Sequence, residues 1–275
     1  MFTKLRSVSI SHLLITLLAG LLLLSACSTA TRTLPTSVAT LEPTAVLNPT
    51  VTTSPASSPL HFVMDTGSLA TGFQTEIILA VSPSDNAPYW EVLPEYTRVT
   101  LAGYPITSHL MKPQIFIYPV EDLGKVNEGA GKIVASLQTL LQSPQELRQM
   151  PFLPLFNASQ VIHVHVQYLD FKNGQGLRYL TEFSQGMVPI NNHELIYTYQ
   201  GLTSDGKYYV AVVLPVNHPG LPADGQVTGN EPPEFTSDFS AYLANVVQSL
   251  NPQAANTFTP DLTLLDAIMS SLEIR

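Results

Sequence analysis

Apolar and polar residues alternate with period two through most of the stretch from Val161 to Val216, which predicts four consecutive β-strands at 161–170, 176–184, 194–202 and 207–216. Turn formers separate them: Asn173-Gly174, the run from Pro189 to Asn192, and Ser204-Asp205-Gly206. Links this short force antiparallel neighbours, so the four strands form a meander. In the last strand Tyr208, Val210, Val212 and Leu214 share one face, while Tyr209, Ala211 and Val213 share the other. Both faces are apolar, which predicts an interior strand covered on both sides. Upstream, Ile77-Ile78-Leu79-Ala80-Val81 predicts a buried strand over 74–81, broken by the segment Pro83 to Pro88. Two more strands are predicted at 98–101 and 114–118.

The period then changes. Val126, Ala130, Ile133, Val134, Leu137, Leu140 and Leu141 recur at helical spacing and predict a one-sided amphipathic helix. Phe235, Phe239, Tyr242, Leu243, Val246, Val247 and Leu250 mark a second helix, ended by Asn251-Pro252. A third is predicted to begin with Thr259 as cap, Pro260 at the first helical position and Asp261 in the first turn, with a stripe of Leu262, Leu265, Ile268, Met269 and Leu272. Strands grouped together with helices outside them predict an α+β domain over 61–275. Its antiparallel sheet would hold the four-strand meander plus two or three further strands, covered by about three helices.

The first 60 residues follow neither period. Lys4 and Arg6 precede an apolar run from Leu13 to Leu24, which is the layout of an export signal and is short for a membrane span of about 20 apolar residues. The run closes on Leu24-Ser25-Ala26-Cys27, which holds the chain's single cysteine. These four residues resemble the lipobox of bacterial lipoproteins. The resemblance implies cleavage after residue 26, diacylglycerol on the Cys27 sulfur and acylation of the new amino terminus. The chemistry fits: small residues admit the peptidase, and a thiolate is the nucleophile that takes the lipid. The plainer alternatives are an ordinary secretory signal that contains a cysteine, or an uncleaved anchor.

Between Ser28 and Leu60 the chain is Thr, Ser or Pro at 19 of 33 positions, with prolines too frequent for helix or strand. Residues 27–60 are therefore expected to form a disordered stalk spanning roughly 30 to 100 Å. Loss of residues 1–26 removes Lys4 and Arg6 and leaves ten basic against 21 acidic residues, a formal charge of −11. That charge disfavours nucleic acid and anionic lipid as partners. With one cysteine no internal disulfide can form, so an ordinary core must stabilise the domain.

Candidate chemistry is sparse. Phe62-Val63-Met64-Asp65-Thr66-Gly67-Ser68 resembles the catalytic loop of aspartic proteases, in which paired aspartates share a proton. No second Asp-Thr-Gly or Asp-Ser-Gly exists here, so only a dimer could supply the pair, and a plain turn at the end of the stalk is the simpler reading. His163 and His165 lie two apart on a strand, which puts both on one face with Gln167 and makes them candidate zinc ligands if a third arrives from His61, His109, His193 or His218. The competing reading is two polar residues on the wetter face of an amphipathic strand. Tyr168, Tyr179, Tyr197, Tyr199, Tyr208 and Tyr209, with Tyr89-Trp90, offer either an aromatic platform for a sugar or peptide, or cross-strand packing. Asp224, Glu231, Glu234 and Asp238 lack calcium-loop spacing and read as a solvated loop. No Gly-x-Ser-x-Gly elbow or phosphate-cradling loop occurs, and no cofactor is implied.

The stretch from Tyr199 to Pro222, with Gly201-Leu202-Thr203-Ser204-Asp205-Gly206-Lys207-Tyr208-Tyr209 and Pro215-Val216-Asn217-His218-Pro219, is similar to a domain recurrent among bacterial lipoproteins. That likeness brings no activity with it. A hairpin ending in Tyr-Tyr and a terminal helix closing on Ser-Leu-Glu-Ile also resemble PsbP-type domains at the level of fold. The expectation is a lipid-anchored, extracytoplasmic binding or scaffolding domain, at the cell membrane or outer envelope, for an envelope or extracellular protein, peptide or glycan. The alternative is an envelope hydrolase working through His163 and His165 on a metal, or through Asp65 in a dimer.

Overall fold

The computed structural model describes residues 60–275; the predicted signal, Cys27 and the stalk ahead of Leu60 lie outside the described residues. The domain is α+β, built on one seven-stranded antiparallel sheet. Its strands are β2 (Gly72–Ile78), β3 (Tyr96–Ala102), β4 (Gln114–Pro119), β5 (Ser159–Phe171), β6 (Gly174–Ser184), β7 (Ile196–Thr203) and β8 (Tyr208–Pro215), in the order β2-β3-β4-β8-β7-β6-β5. The predicted meander is the run β5 to β8. A two-residue strand β1 (Phe62–Val63) pairs apart from the sheet with β9 (Glu273–Ile274), and the Arg275 N–H donates to the His61 carbonyl at 2.7 Å.

Each face of the sheet carries its own core, as the doubly apolar β8 requires. On one face Val99, Ile115, Val164, Leu180, Tyr197, Val210 and Val212 pack beneath α4 (Phe239–Leu250) and α5 (Leu262–Ser271). On the other, Phe116, Tyr118, Leu177, Tyr179, Tyr209, Ala211 and Val213 pack beneath α2 (Glu128–Gln142) and the segment 150–153. The apolar stripe of α2 is the predicted one: Ala130, Val134, Leu137 and Leu140 are buried. Asn127 caps it, accepting from the Ala130 N–H at 3.1 Å.

The structure corrects four local expectations. The strand predicted as buried over 74–81 ends at Ile78 and is the sheet's outer edge, with Leu79 just beyond it 73% exposed. An apolar run reports the tendency to extend, and burial needs a neighbour on each side. A short helix, α1 (Val120–Val126), follows Pro119 directly and precedes α2. The helix predicted from Phe235 is two, α3 (Pro233–Ser237) and α4, because the Asp238 side chain accepts from the Ala241 N–H at 3.0 Å and starts a new helix. Likewise Asp261, rather than Thr259, caps α5 by accepting from the Thr263 N–H at 2.8 Å. Asp261→Ala is expected to lower stability by about 1 kcal/mol in chemical denaturation, the usual effect of losing such a cap; an unchanged midpoint would show that the Thr263 N–H is satisfied otherwise.

Candidate functional site

The histidine pair does not share a face. His163 lies opposite Thr181, while Gln167 lies opposite Arg178, because a bulge between Val164 and Gln167 inserts one residue into β5. His165 sits in that bulge with φ 54°, a left-handed conformation that breaks the alternation on which the prediction rested. Its backbone N–H donates to Asn251 Oδ1 at 2.9 Å, and its ring Nε2 lies 2.8 Å from the Leu250 carbonyl, which ties the edge strand to the end of α4. His163 instead borders an open hollow with Glu146, Leu147, Met150 and Asn251. Burial lowers the pKa of both rings, with the Glu146 charge opposing that for His163.

The structure brings His165 near His218: their rings flank Phe258, with centroids at 5.0 and 4.8 Å from it. His218 Nδ1 accepts from the Gly220 N–H at 3.1 Å, and His109 holds the Met111 N–H and the Leu195 carbonyl, each at 2.9 Å. These rings fasten loops. Among the described residues no three His, Cys, Asp or Glu side chains converge as a metal site requires.

Asp65 lies in a tight turn. Its Oδ1 accepts from the Gly67 N–H at 2.9 Å, and its own N–H donates to Ser271 Oγ at 2.8 Å, so the loop is sewn to the end of α5. The tyrosines form core, not a platform. Tyr179, Tyr197, Tyr199 and Tyr209 are fully buried, and their hydroxyls donate to the Pro151 carbonyl, Asp266 Oδ1, the Leu169 carbonyl and Gln200 Oε1. Among the described residues the substantially exposed tyrosines are Tyr89 and Tyr168. A strand covered on both faces buries its aromatics whichever way they point.

A hollow with largely apolar walls arises where the sequence showed only turns. The segment 217–232, between β8 and α3, folds back against Pro189-Ile190 and the side of α4. Asn192 pins it: its N–H donates to the Pro222 carbonyl at 2.9 Å, its amide nitrogen to the His218 and Leu221 carbonyls at 3.1 Å each, and its Oδ1 accepts from the His218 N–H at 2.7 Å. Across from it, the Ile190 N–H donates to the Tyr242 hydroxyl oxygen at 2.9 Å. These ties hold open a space of about 330 Å³ walled by Pro189, Ile190, Leu221, Pro222, Tyr242 and Val246, with Gln226, Thr228, Asn230 and Ser249 supplying polar groups. Such a volume is at the lower end of small-molecule sites.

Two carboxyls set the electrostatics there. Glu231, in the wall, accepts from the Thr228 N–H at 2.6 Å and the Gly229 N–H at 2.9 Å; these bonds hold its pKa below the usual range, so it stays charged. Glu182, beneath the 189–192 turn, is wholly buried and accepts from the Asn191 N–H at 3.0 Å. Burial above all, helped by the charge of Glu194, pushes its carboxyl up to about 8, so it carries a proton at neutral pH. The acidic run read as a solvated loop thus contributes one wall residue, and no periodic pattern announced the hollow. The signal within reach was Asn191-Asn192 beside Pro189, a cluster of side chains suited to tying backbone.

Comparison of the chain with protein-family models, with curated proteins and with solved structures gives no match. Among the described residues no helix is long and apolar enough to cross a membrane.

Proposed function

We propose that the chain is a lipoprotein held through acyl chains on Cys27 at the extracytoplasmic face of a cell membrane or outer envelope, and that its folded domain binds a partner rather than catalysing a reaction. The hollow beside Tyr242 carries the binding half of this reading: it is apolar, bordered by a few polar groups, and held open by a network on Asn192. The anchoring half is supported by the order of basic end, apolar run and lipobox in the sequence. Several acyl chains on one residue give stable attachment where one chain binds only marginally. The stalk would hold the domain clear of the bilayer.

Growth of producing cells with radiolabelled palmitate tests the anchor. The wild-type chain is expected to take up label and to enter the detergent phase on partitioning, and Cys27→Ser to lose both. Equal labelling of the two chains would refute lipid attachment at Cys27.

A further inference from the structure

We infer that the hollow between the 217–232 segment and α4 takes an organic cation with an apolar body. The inference rests on the reading of that hollow as a binding site and names the chemistry of its occupant.

The walls supply the apolar half. Pro189, Ile190, Leu221, Pro222 and Val246 surround a space of about 330 Å³, enough for a ring or short branched chain. Glu231 supplies the polar half: its carboxylate stands in the wall, held there by the Thr228 and Gly229 N–H groups at 2.6 and 2.9 Å. Tyr242, 8% exposed and packed by Phe239 and Phe235 with ring centroids 5.6 and 5.3 Å away, adds to the apolar wall.

Charge makes the choice between an anion, a neutral molecule and a cation. From Tyr208 to Ile274 the chain holds Asp224, Glu231, Glu234, Asp238, Asp261, Asp266 and Glu273 and not one Lys or Arg. Asp266 is paired with Arg178 in the core, and Glu273 with Arg275 at the far terminus. Of the first four, Glu231 stands in the wall of the hollow, Asp224 lies in the same 217–232 segment, and Glu234 and Asp238 lie in α3 and just after it. Among the described residues no ion pair neutralises any of them. Backbone N–H groups hold Asp224, Glu231 and Asp238 in place, which fixes negative charge without cancelling it. An apolar space whose lining holds one charged side chain, the carboxylate of Glu231, and no Lys or Arg favours a positive guest and repels a negative one.

The test uses three matched probes, phenethylammonium, 2-phenylethanol and phenylacetate, titrated by calorimetry into the full lipidated chain in nanodiscs, with empty nanodiscs as the blank. The expected result is one saturable site for the ammonium, at least about tenfold tighter than for phenylacetate and weakened by added salt. Val246→Trp, which fills the hollow, should abolish that binding. Because a larger side chain there can also disturb folding, Ser249→Arg provides a second check at an exposed rim position, where the new cation should reverse the preference toward phenylacetate. Equal binding of all three probes, lost in Val246→Trp, would overturn the cation inference while leaving the hollow a binding site. No binding by any probe, or binding indifferent to both substitutions, would overturn the inference and the binding role of the hollow together. Labelling at Cys27 is independent of every one of these outcomes.

Discussion

Replacing Arg178 by methionine is expected to destabilise the domain by about 3–5 kcal/mol, the usual consequence of removing one member of a buried ion pair. Arg178 is 5% exposed, and four acceptor atoms depend on its guanidinium. Nε and Nη2 donate to the two Asp266 oxygens at 3.2 and 3.4 Å, Nη2 also to Gln167 Oε1 at 2.7 Å, and Nη1 to the His165 carbonyl. One side chain thus joins β6, α5 and the bulge of β5. Methionine keeps much of the volume and leaves Asp266 with only the Tyr197 hydroxyl, at 2.9 Å. Burial already raises the Asp266 pKa against the pull of Arg178. Without Arg178 it rises further, so the deficit is largest above the ordinary carboxylate range and shrinks as pH falls through the raised folded-state value. Urea denaturation at pH 7 and pH 5 measures both effects. The double variant Arg178→Met/Asp266→Leu should recover most of the loss; a single variant within 1 kcal/mol of wild type would mean the pair is dispensable, on the scale expected for exposed pairs of about 0–1 kcal/mol.

Glu182→Gln is expected to flatten the pH dependence of stability. The wild-type carboxyl, raised from 4.5 to about 8, stays protonated in the fold over a range where the unfolded chain ionises. Below that range both states hold the proton, and the burial is harmless. As pH rises through it, the folded state binds more protons than the unfolded one, and stability falls by about 1.4 kcal/mol per unit until the folded carboxyl itself ionises. The total is on the order of 5 kcal/mol. Glutamine mimics the neutral acid, keeps an acceptor for the Asn191 N–H and does not titrate. Melting temperatures measured from pH 5 to pH 8.5 should therefore fall for wild type and hold nearly level for the variant. Parallel curves would show that Glu182 is ionised in the fold. The groups facing it are Asn191, Glu194 and the Tyr242 hydroxyl, so ionisation would be felt in the turn that walls the hollow.

The meander and the stripe of α2 were legible because each repeats a period over many residues, and a doubly apolar β8 demanded cover on both faces. The placement of His163 and His165 was not legible. Alternation assigns faces only while the ladder keeps one residue opposite one, and the inserted residue at the bulge reverses every assignment after it. β2 misled for a different reason: its isoleucines favour extension anywhere, and nothing local states that the sheet stops there. Strands β1 and β9 are two residues each, too short for any period. The hollow depends on side-chain ties between 189–192 and 217–222, and contacts of that kind leave residue types but no rhythm.

Pairing of β1 with β9 fixes how the domain bears load. The chain enters and leaves the globule at one spot, joined by the Arg275–His61 bond, the Phe62–Ile274 register and the link from Asp65 to Ser271. A pull on the chain at Leu60 would be taken first by this two-rung clasp and by the Asp65–Ser271 link. Mechanical failure would then begin with the parting of β1 from β9 and pass next to β2 at the sheet's edge, before any strand of the meander slides.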